Sequence, residues 1–435
     1  MSRCLALARS MVAAVIVLAA ETPSVTFATT RSTHAVIPLG SGSYGPGVGD
    51  FDAVAEAGLP IVYGGDPRDP TEVLIIERPG SRPRSLRLPA GPATTTERLA
   101  GDGRRLFMKF TAGLGYVNLA TGVTEILVPG ARNDGKFDMD RTGRWLAYLG
   151  VPPGAAADAP PQVMLLDSQS GLRRQVTDRL LHPRQTPCTG QFGVPPVVSA
   201  DGSVVVFVAP SPIRAADEAR TTNCRVWVYD VADGEIRLVA EIPEVGRVRR
   251  PAVDGEGRWY SFTLTKARPG GGTVTKPALL DLNSGTLIES ITGDDLRYPG
   301  FDAVVTVDGK RVVLTSMADL DPDVGNTDHN METFAYDMDA RTFTQMTDTT
   351  GGVEPGVPGL CPAYTPEVSG SGDVVVMTYF AEESSETCIF LRHHRHNSTG
   401  MYYVFARIVP KRPGNHPATL TGLPALVEVR VGETL

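Results

Sequence analysis

The chain alternates short apolar runs with turn residues, and the same unit returns seven times. A turn glycine followed by an apolar stretch recurs as GLPIVYGG from Gly58, GRRLFMKF from Gly103, GRWLAYLG from Gly143, GSVVVFVA from Gly202, GRWYSFTL from Gly257, GKRVVLTS from Gly309 and GDVVVMTY from Gly372. Apolar runs of this length bounded by turn residues read as strands. Acidic or small polar residues precede most of these glycines, as in Asp102-Gly103, Asp201-Gly202 and Asp308-Gly309. Such pairs supply the positive φ values of a hairpin turn, so each copy marks a turn from strand a to strand b. A second hairpin follows each, seen at residues 116–122, 163–171, 226–234 and 278–285, where an apolar run ends in a polar turn and a glycine. These segments read as strand c, the c–d turn and the start of strand d. Neighbouring glycines are between 40 residues (Gly103 to Gly143) and 63 residues (Gly309 to Gly372) apart. That spacing suits a four-stranded antiparallel blade with loops of variable length, and the absence of helical runs excludes a parallel α/β sheet. The expected fold is all-β: a seven-bladed β-propeller of four-stranded antiparallel blades.

The sixth copy carries a more particular signature. Residues 316–337, SMADLDPDVGNTDHNMETFAYD, run on to Thr342-Phe-Thr-Gln-Met-Thr347, with strand c reading Glu332, a spacer, Phe334, a spacer, then Tyr336-Asp337. This segment resembles the repeat of the TolB-like propellers of exported bacterial proteins. The resemblance spans roughly residues 50–410, is strongest in copies four and six, and implies fold far more firmly than function. It does not extend to the α/β domain that precedes the propeller in TolB itself: residues 21–50 alone separate the leader from the first copy, which argues against a role in the Tol machinery.

Composition narrows the function classes. The 435 residues carry a formal charge of -8 with a sequence pI near 5.5, and no Lys/Arg-rich run tracks phosphates, so nucleic-acid binding is disfavoured. Arg3 and Arg9 followed by an apolar stretch at residues 11–20 have the layout of a secretory signal peptide. We therefore expect a cleaved leader at 1–20, an extension at 21–50, the propeller at 51–425 and a C-terminal strand or tail at 426–435, in a secreted or periplasmic monomer without membrane insertion. The stretches 35–39 and 426–431 are the candidates for a strand that closes the ring.

After the leader four cysteines remain, Cys188, Cys224, Cys361 and Cys388. Cys188 and Cys224 hold the same two places in copy four that Cys361 and Cys388 hold in copy seven, and an exported chain meets an oxidising compartment. Of the three pairings open to four cysteines, the repeat selects Cys188–Cys224 and Cys361–Cys388.

Candidate ligand-binding residues fall on the b–c and d–a loops. The loop of copy six offers Asp319, Asp321, Asp323, Asn326, Asp328 and Asn330, an oxygen-rich set that suits Ca²⁺. The competing reading is a set of Asx turns that satisfy loop amides, and the expectation is no obligatory cofactor. His182, Arg184 and Gln185 enter copy four on the same side. His393, His394 and His396 sit beside a c–d turn and face the other way. Asp167, Asp230, Asp281 and Asp337 close strand c and are expected to anchor turns. Trp145, Trp227 and Trp259 are expected between blades. No Gly-x-Ser-x-Gly elbow is present. The sequence thus points to a non-catalytic propeller that binds a protein, peptide or cell-envelope glycan, with a propeller-fold polysaccharide lyase or hydrolase, or a structural envelope scaffold, as the alternatives.

Overall fold

The computed structural model describes residues 36–43, 52–54, 61–64, 71–77, 84–88, 92–130, 137–156, 159–178, 194–209, 224–242, 249–267, 271–293, 300–327, 329, 331–346, 363–368, 374–381 and 400–407. These form twenty-eight strands in seven four-stranded antiparallel sheets. β1 (Val36–Ser43) stands apart in the chain from the sheet it joins. Blade 1 holds β2 (Asp52–Val54), β3 (Ile61–Gly64), β4 (Glu72–Ile76) and β5 (Arg84–Arg87). Blade 2 holds β6 (Pro92–Leu99), β7 (Arg105–Phe110), β8 (Gly113–Asn118) and β9 (Thr124–Pro129). Blade 3 holds β10 (Phe137–Met139), β11 (Trp145–Gly150), β12 (Gln162–Asp167) and β13 (Arg173–Gln175). Blade 4 holds β14 (Val197–Val198), β15 (Val204–Ala209), β16 (Cys224–Asp230) and β17 (Ile236–Ile242). Blade 5 holds β18 (Arg249–Val253), β19 (Trp259–Ala267), β20 (Thr273–Asp281) and β21 (Leu287–Ile288). Blade 6 holds β22 (Gly300–Val305), β23 (Arg311–Ser316), β24 (Glu332–Asp337) and β25 (Thr342–Gln345). Blade 7 holds β26 (Ala363–Val368), β27 (Val374–Ala381) and β28 (Gly400–Arg407), and β1 is its fourth strand.

The first strands of the sheets follow one another round a closed ring: β2 lies against β6, β6 against β10, and so on to β26, which returns to β2. That is the plan of a β-propeller. β1 pairs antiparallel with β28, from Val36 opposite Ala406 to Ser43 opposite Gly400. The chain's early residues therefore complete its last sheet and cover the edge that β28 would otherwise expose. Residues 36–43, read from the sequence as extension, belong to the ring, and the second closure candidate at 426–431 lies outside the described residues.

The core is a series of seams between sheets. Val206, Val208, Val226 and Val228 of blade 4 pack on Tyr260, Phe262, Ala278 and Leu280 of blade 5. Leu279 of blade 5 packs on Val305, Val312, Leu314 and Phe334 of blade 6. Alternation along each strand sends successive side chains to opposite seams, which is why β12 and β15 read as continuous apolar runs. The a–b glycines serve these seams as well as their turns. Gly202 has φ +75°, and a Cβ there would lie 2.6 Å from Trp145 Cδ1 of the preceding blade. Gly143 meets Phe107, and Gly257 meets Val204, in the same way. Trp145, Trp227 and Trp259 are all half-buried and pack against seam clusters, as expected.

Candidate functional site

The two faces of the ring are built differently. On the face of the a–b and c–d turns of blades 2 to 6, the anchoring polar residues of the repeat are used locally. In the a–b turns, the side-chain oxygens of Asp140, Ser199, Asp254 and Thr306 accept from the N–H groups of Trp145, Val204, Trp259 and Arg311. In the c–d turns, Asn118, Asp230, Asp281 and Asp337 each accept from the two N–H groups that lie two and three residues ahead. Asp167 accepts from Gln169 N–H and from Arg144. Burial opposes ionisation of Asp167, but these bonds outweigh it and hold the carboxyl below its usual range. The four strand-closing aspartates thus anchor turns, and Asn118 does the same in blade 2.

Backbone bonds join these turns from blade to blade. Gly101 N–H donates to Arg141 O, Arg141 N–H to Ala200 O, Asp201 N–H to Gly255 O, and Gly255 N–H to Val307 O. Near the channel, Asp138 of β10 bridges both neighbours, accepting from Arg98 Nε at 2.8 Å and from Val198 N at 3.0 Å. Asp254 is almost fully buried, and desolvation raises its pKa despite the N–H groups of Trp259 and Arg258.

The opposite face carries the longer b–c and d–a loops. In blade 6 the predicted acidic loop separates into two kinds of residue. Asp321 is fully buried; Oδ1 accepts from Asp323 N–H at 3.1 Å and Oδ2 from Gln345 N–H at 2.8 Å, tying the loop to the end of β25. Its backbone oxygen accepts from Val324 and Gly325, whose φ is +84°. This is the Asx-turn alternative, realised. Asp319 and Asp323 are exposed, and Asp319 Oδ1 caps Asn326 N–H at 3.0 Å. The loop therefore presents Asp319 and Asp323 outward over a pinned base.

Asp328, Asn330, His182, Arg184, Gln185, Cys188, Cys361, Cys388 and the histidines at 393, 394 and 396 lie outside the described residues, and Cys224 is described only as the first residue of β16. Among the described residues no three His, Cys, Asp or Glu side chains are grouped to hold a metal ion.

Beneath the loop-bearing face, blades 5 and 6 contain a feature that the sequence did not announce. Fully buried Lys276, Thr315, Ser316, Glu332 and Thr333 lie where strands b end and strands c begin. Register assigns some of them to one seam. Glu332 pairs with Ser316 and Gln345 pairs with Phe334, so all four share the side of blade 6 on which Phe334 meets Leu279 of blade 5. Facing them, β19 and β20 present Ser261, Thr263, Thr265 and Thr275 on the side that carries Leu279. Ser261 Oγ donates to Ala303 O at 3.0 Å and accepts from Val305 N–H at 2.9 Å, and Thr263 Oγ1 accepts from Asp302 N–H at 3.0 Å. Those bonds hold β22 at its bulge, where Asp302 adopts φ +53°. Lys276 points to the other side of blade 5, towards blade 4. Thr within a strand is an ordinary β-former, so only register reveals the polar seam.

No family model matches this chain, and no curated protein matches it. Solved structures do. Oligogalacturonate lyase from Vibrio parahaemolyticus is similar over 85% of this chain and 97% of its own, at 13% identity and a TM-score of 0.52. TolB from Acinetobacter baumannii is 14% identical with a TM-score of 0.41, and the match spans 65% of this chain and 62% of the TolB chain, less than two thirds of its length. A hydrazine synthase of Kuenenia stuttgartiensis is 12% identical over 77% of this chain and 93% of its own, with a TM-score of 0.47. At such identities the likeness to the lyase shows the fold alone, and that fold is the β-propeller already traced strand by strand.

Proposed function

We propose that the protein is an exported binding propeller, without catalysis, that receives a protein, peptide or cell-envelope glycan on the face of the b–c and d–a loops. The observation that carries this reading is the asymmetry between the two faces. The turn face uses its carboxylates on its own amides and is laced by backbone bonds between blades. The loop face also bonds its own amides, through Asp319 and Asp321, but does so within a long loop that sets Asp319 and Asp323 outward over a base fixed to β25. Loops held on a rigid scaffold are the usual carriers of recognition, and a fixed base limits the entropy lost on binding. Calcium on that loop and the bridges Cys188–Cys224 and Cys361–Cys388 belong to the same reading, since each would stiffen the same face.

The test compares Asp319→Asn/Asp323→Asn with Asp233→Asn/Asp339→Asn on the turn face, using peptide and glycan arrays with and without added Ca²⁺. Loss of a bound array member in the first pair alone supports the reading. Equal loss in both pairs, or binding untouched by either, removes it. The alternative of a polysaccharide lyase takes its support from near full-length likeness to the Vibrio enzyme. Release of unsaturated products from oligogalacturonides would establish that reading in place of binding alone.

A further inference from the structure

The seam between blades 5 and 6 holds polar atoms that no neighbouring protein group satisfies. Gln345, at 2% exposure, has both its amide oxygen and its amide nitrogen buried, and neither makes a hydrogen bond with any described residue. Thr275 Oγ1 is buried in the same condition. The two come from opposite walls. Gln345 lies opposite Phe334 on the side of blade 6 turned to blade 5. Thr275 shares the side of β20 that carries Pro277 and Leu279, and the Pro277 ring packs over Gly300 of blade 6, where a Cβ would lie 2.7 Å from its Cδ. Gln345 N–H is already bonded to Asp321, which fixes the backbone, while burial of the side chain keeps its amide from water outside.

Buried polar groups in folded proteins nearly always have partners, and a buried group without a protein partner is served by internal water. The chemistry of these atoms selects the ligand. An amide oxygen accepts, an amide nitrogen donates and a hydroxyl does both, a neutral mixture that suits a molecule able to do both. The atoms are closed to solvent, which excludes anything larger than water unless the blades part. We propose that this seam is an internal hydration site, in which ordered water serves the Gln345 amide on one wall and the Thr275 hydroxyl on the other, each at its own place. The site stands whether or not the loop face binds the ligand class proposed above.

A crystal structure of the unaltered protein at high resolution tests it directly. The expected result is water density about 2.7–3.2 Å from Gln345 Oε1 or Nε2. Amide and hydroxyl surroundings without water overturn the proposal. Gln345→Met and Thr275→Val give a second reading, because each keeps the shape of the side chain and deletes the groups that hold water. A hydrated seam loses bonded water and melts lower in each variant, by about 1 °C for a loss near 1 kcal/mol in a propeller of this size. A dry seam sheds unsatisfied polar atoms and melts at or above the parent temperature, which also overturns the proposal.

Discussion

At the scale of single residues, the repeat behaves as a template whose exceptions are informative. Four c–d turns end with glycine four places after the anchoring residue, at Gly122, Gly171, Gly234 and Gly285, with φ between +72° and +74°. In blade 6 the equivalent position, four after Asp337, is Arg341, with φ +55°. A left-handed conformation costs an L-residue with a Cβ about 1–2 kcal/mol, while glycine adds about 0.4–1 kcal/mol of unfolded-state entropy to be lost. The first effect is the larger. Arg341→Gly should therefore raise stability by up to about 1 kcal/mol, measured by chemical denaturation with the slope unchanged. A loss of stability would mean that the arginine side chain contributes more than its backbone costs. The a–b glycines show the opposite constraint: Gly202 is fixed both by its turn and by the Trp145 ring against it, so position and chemistry were legible in the sequence because two demands coincide there.

Strands and loops were legible to different degrees. Strand b and the c–d turns were readable because an apolar run followed by Asp or Asn and then Gly has one economical conformation. Asp321 was singled out as a binding residue, yet it is buried and pins its own loop to β25. Sequence gives the oxygen but not its burial, since that depends on a residue twenty-four places later. The polar seam escaped notice for a related reason. Ser261, Thr263 and Thr275 stand at alternate positions of strands otherwise rich in aromatic and aliphatic residues, and nothing local says which side of the sheet they face. Their role belongs to the pairing of elements, and one substitution tests it. Ser261 Oγ bonds both Ala303 O and Val305 N–H of the neighbouring blade, within a fully buried seam. Ser261→Ala leaves two buried backbone groups of β22 without that partner and should cost about 1–3 kcal/mol. Hydrogen exchange should speed at Val305 before it speeds in β12 or β15. Uniform acceleration across the ring would show that β22 is not held locally by this hydroxyl.

At the scale of the whole molecule, a ring of sheets has one joint that the chain must close, and here β1 does so from the N-terminal side. Seven pairs of residues, from Val36 and Ala406 to Ser43 and Gly400, join β1 to β28 in one antiparallel ladder, with a single shift between Pro38 and Gly40. The sequence suggested two candidate stretches for this joint without choosing between them, because closure is a contact between chain regions more than three hundred residues apart and leaves no local mark. The cost of breaking it is cooperative. Without β1, blade 7 keeps three strands and β28 becomes an open edge, which invites pairing with a second molecule. A chain lacking residues 21–43 should therefore melt lower than one that keeps them and should self-associate as concentration rises, followed by calorimetry and by light scattering. Adding a synthetic peptide of residues 33–46 should restore part of the melting temperature and suppress the association, since the missing strand is supplied in trans. An unchanged melting temperature, or association that the peptide leaves untouched, would show that the ring is held by its seven inner strands and needs no closing strand.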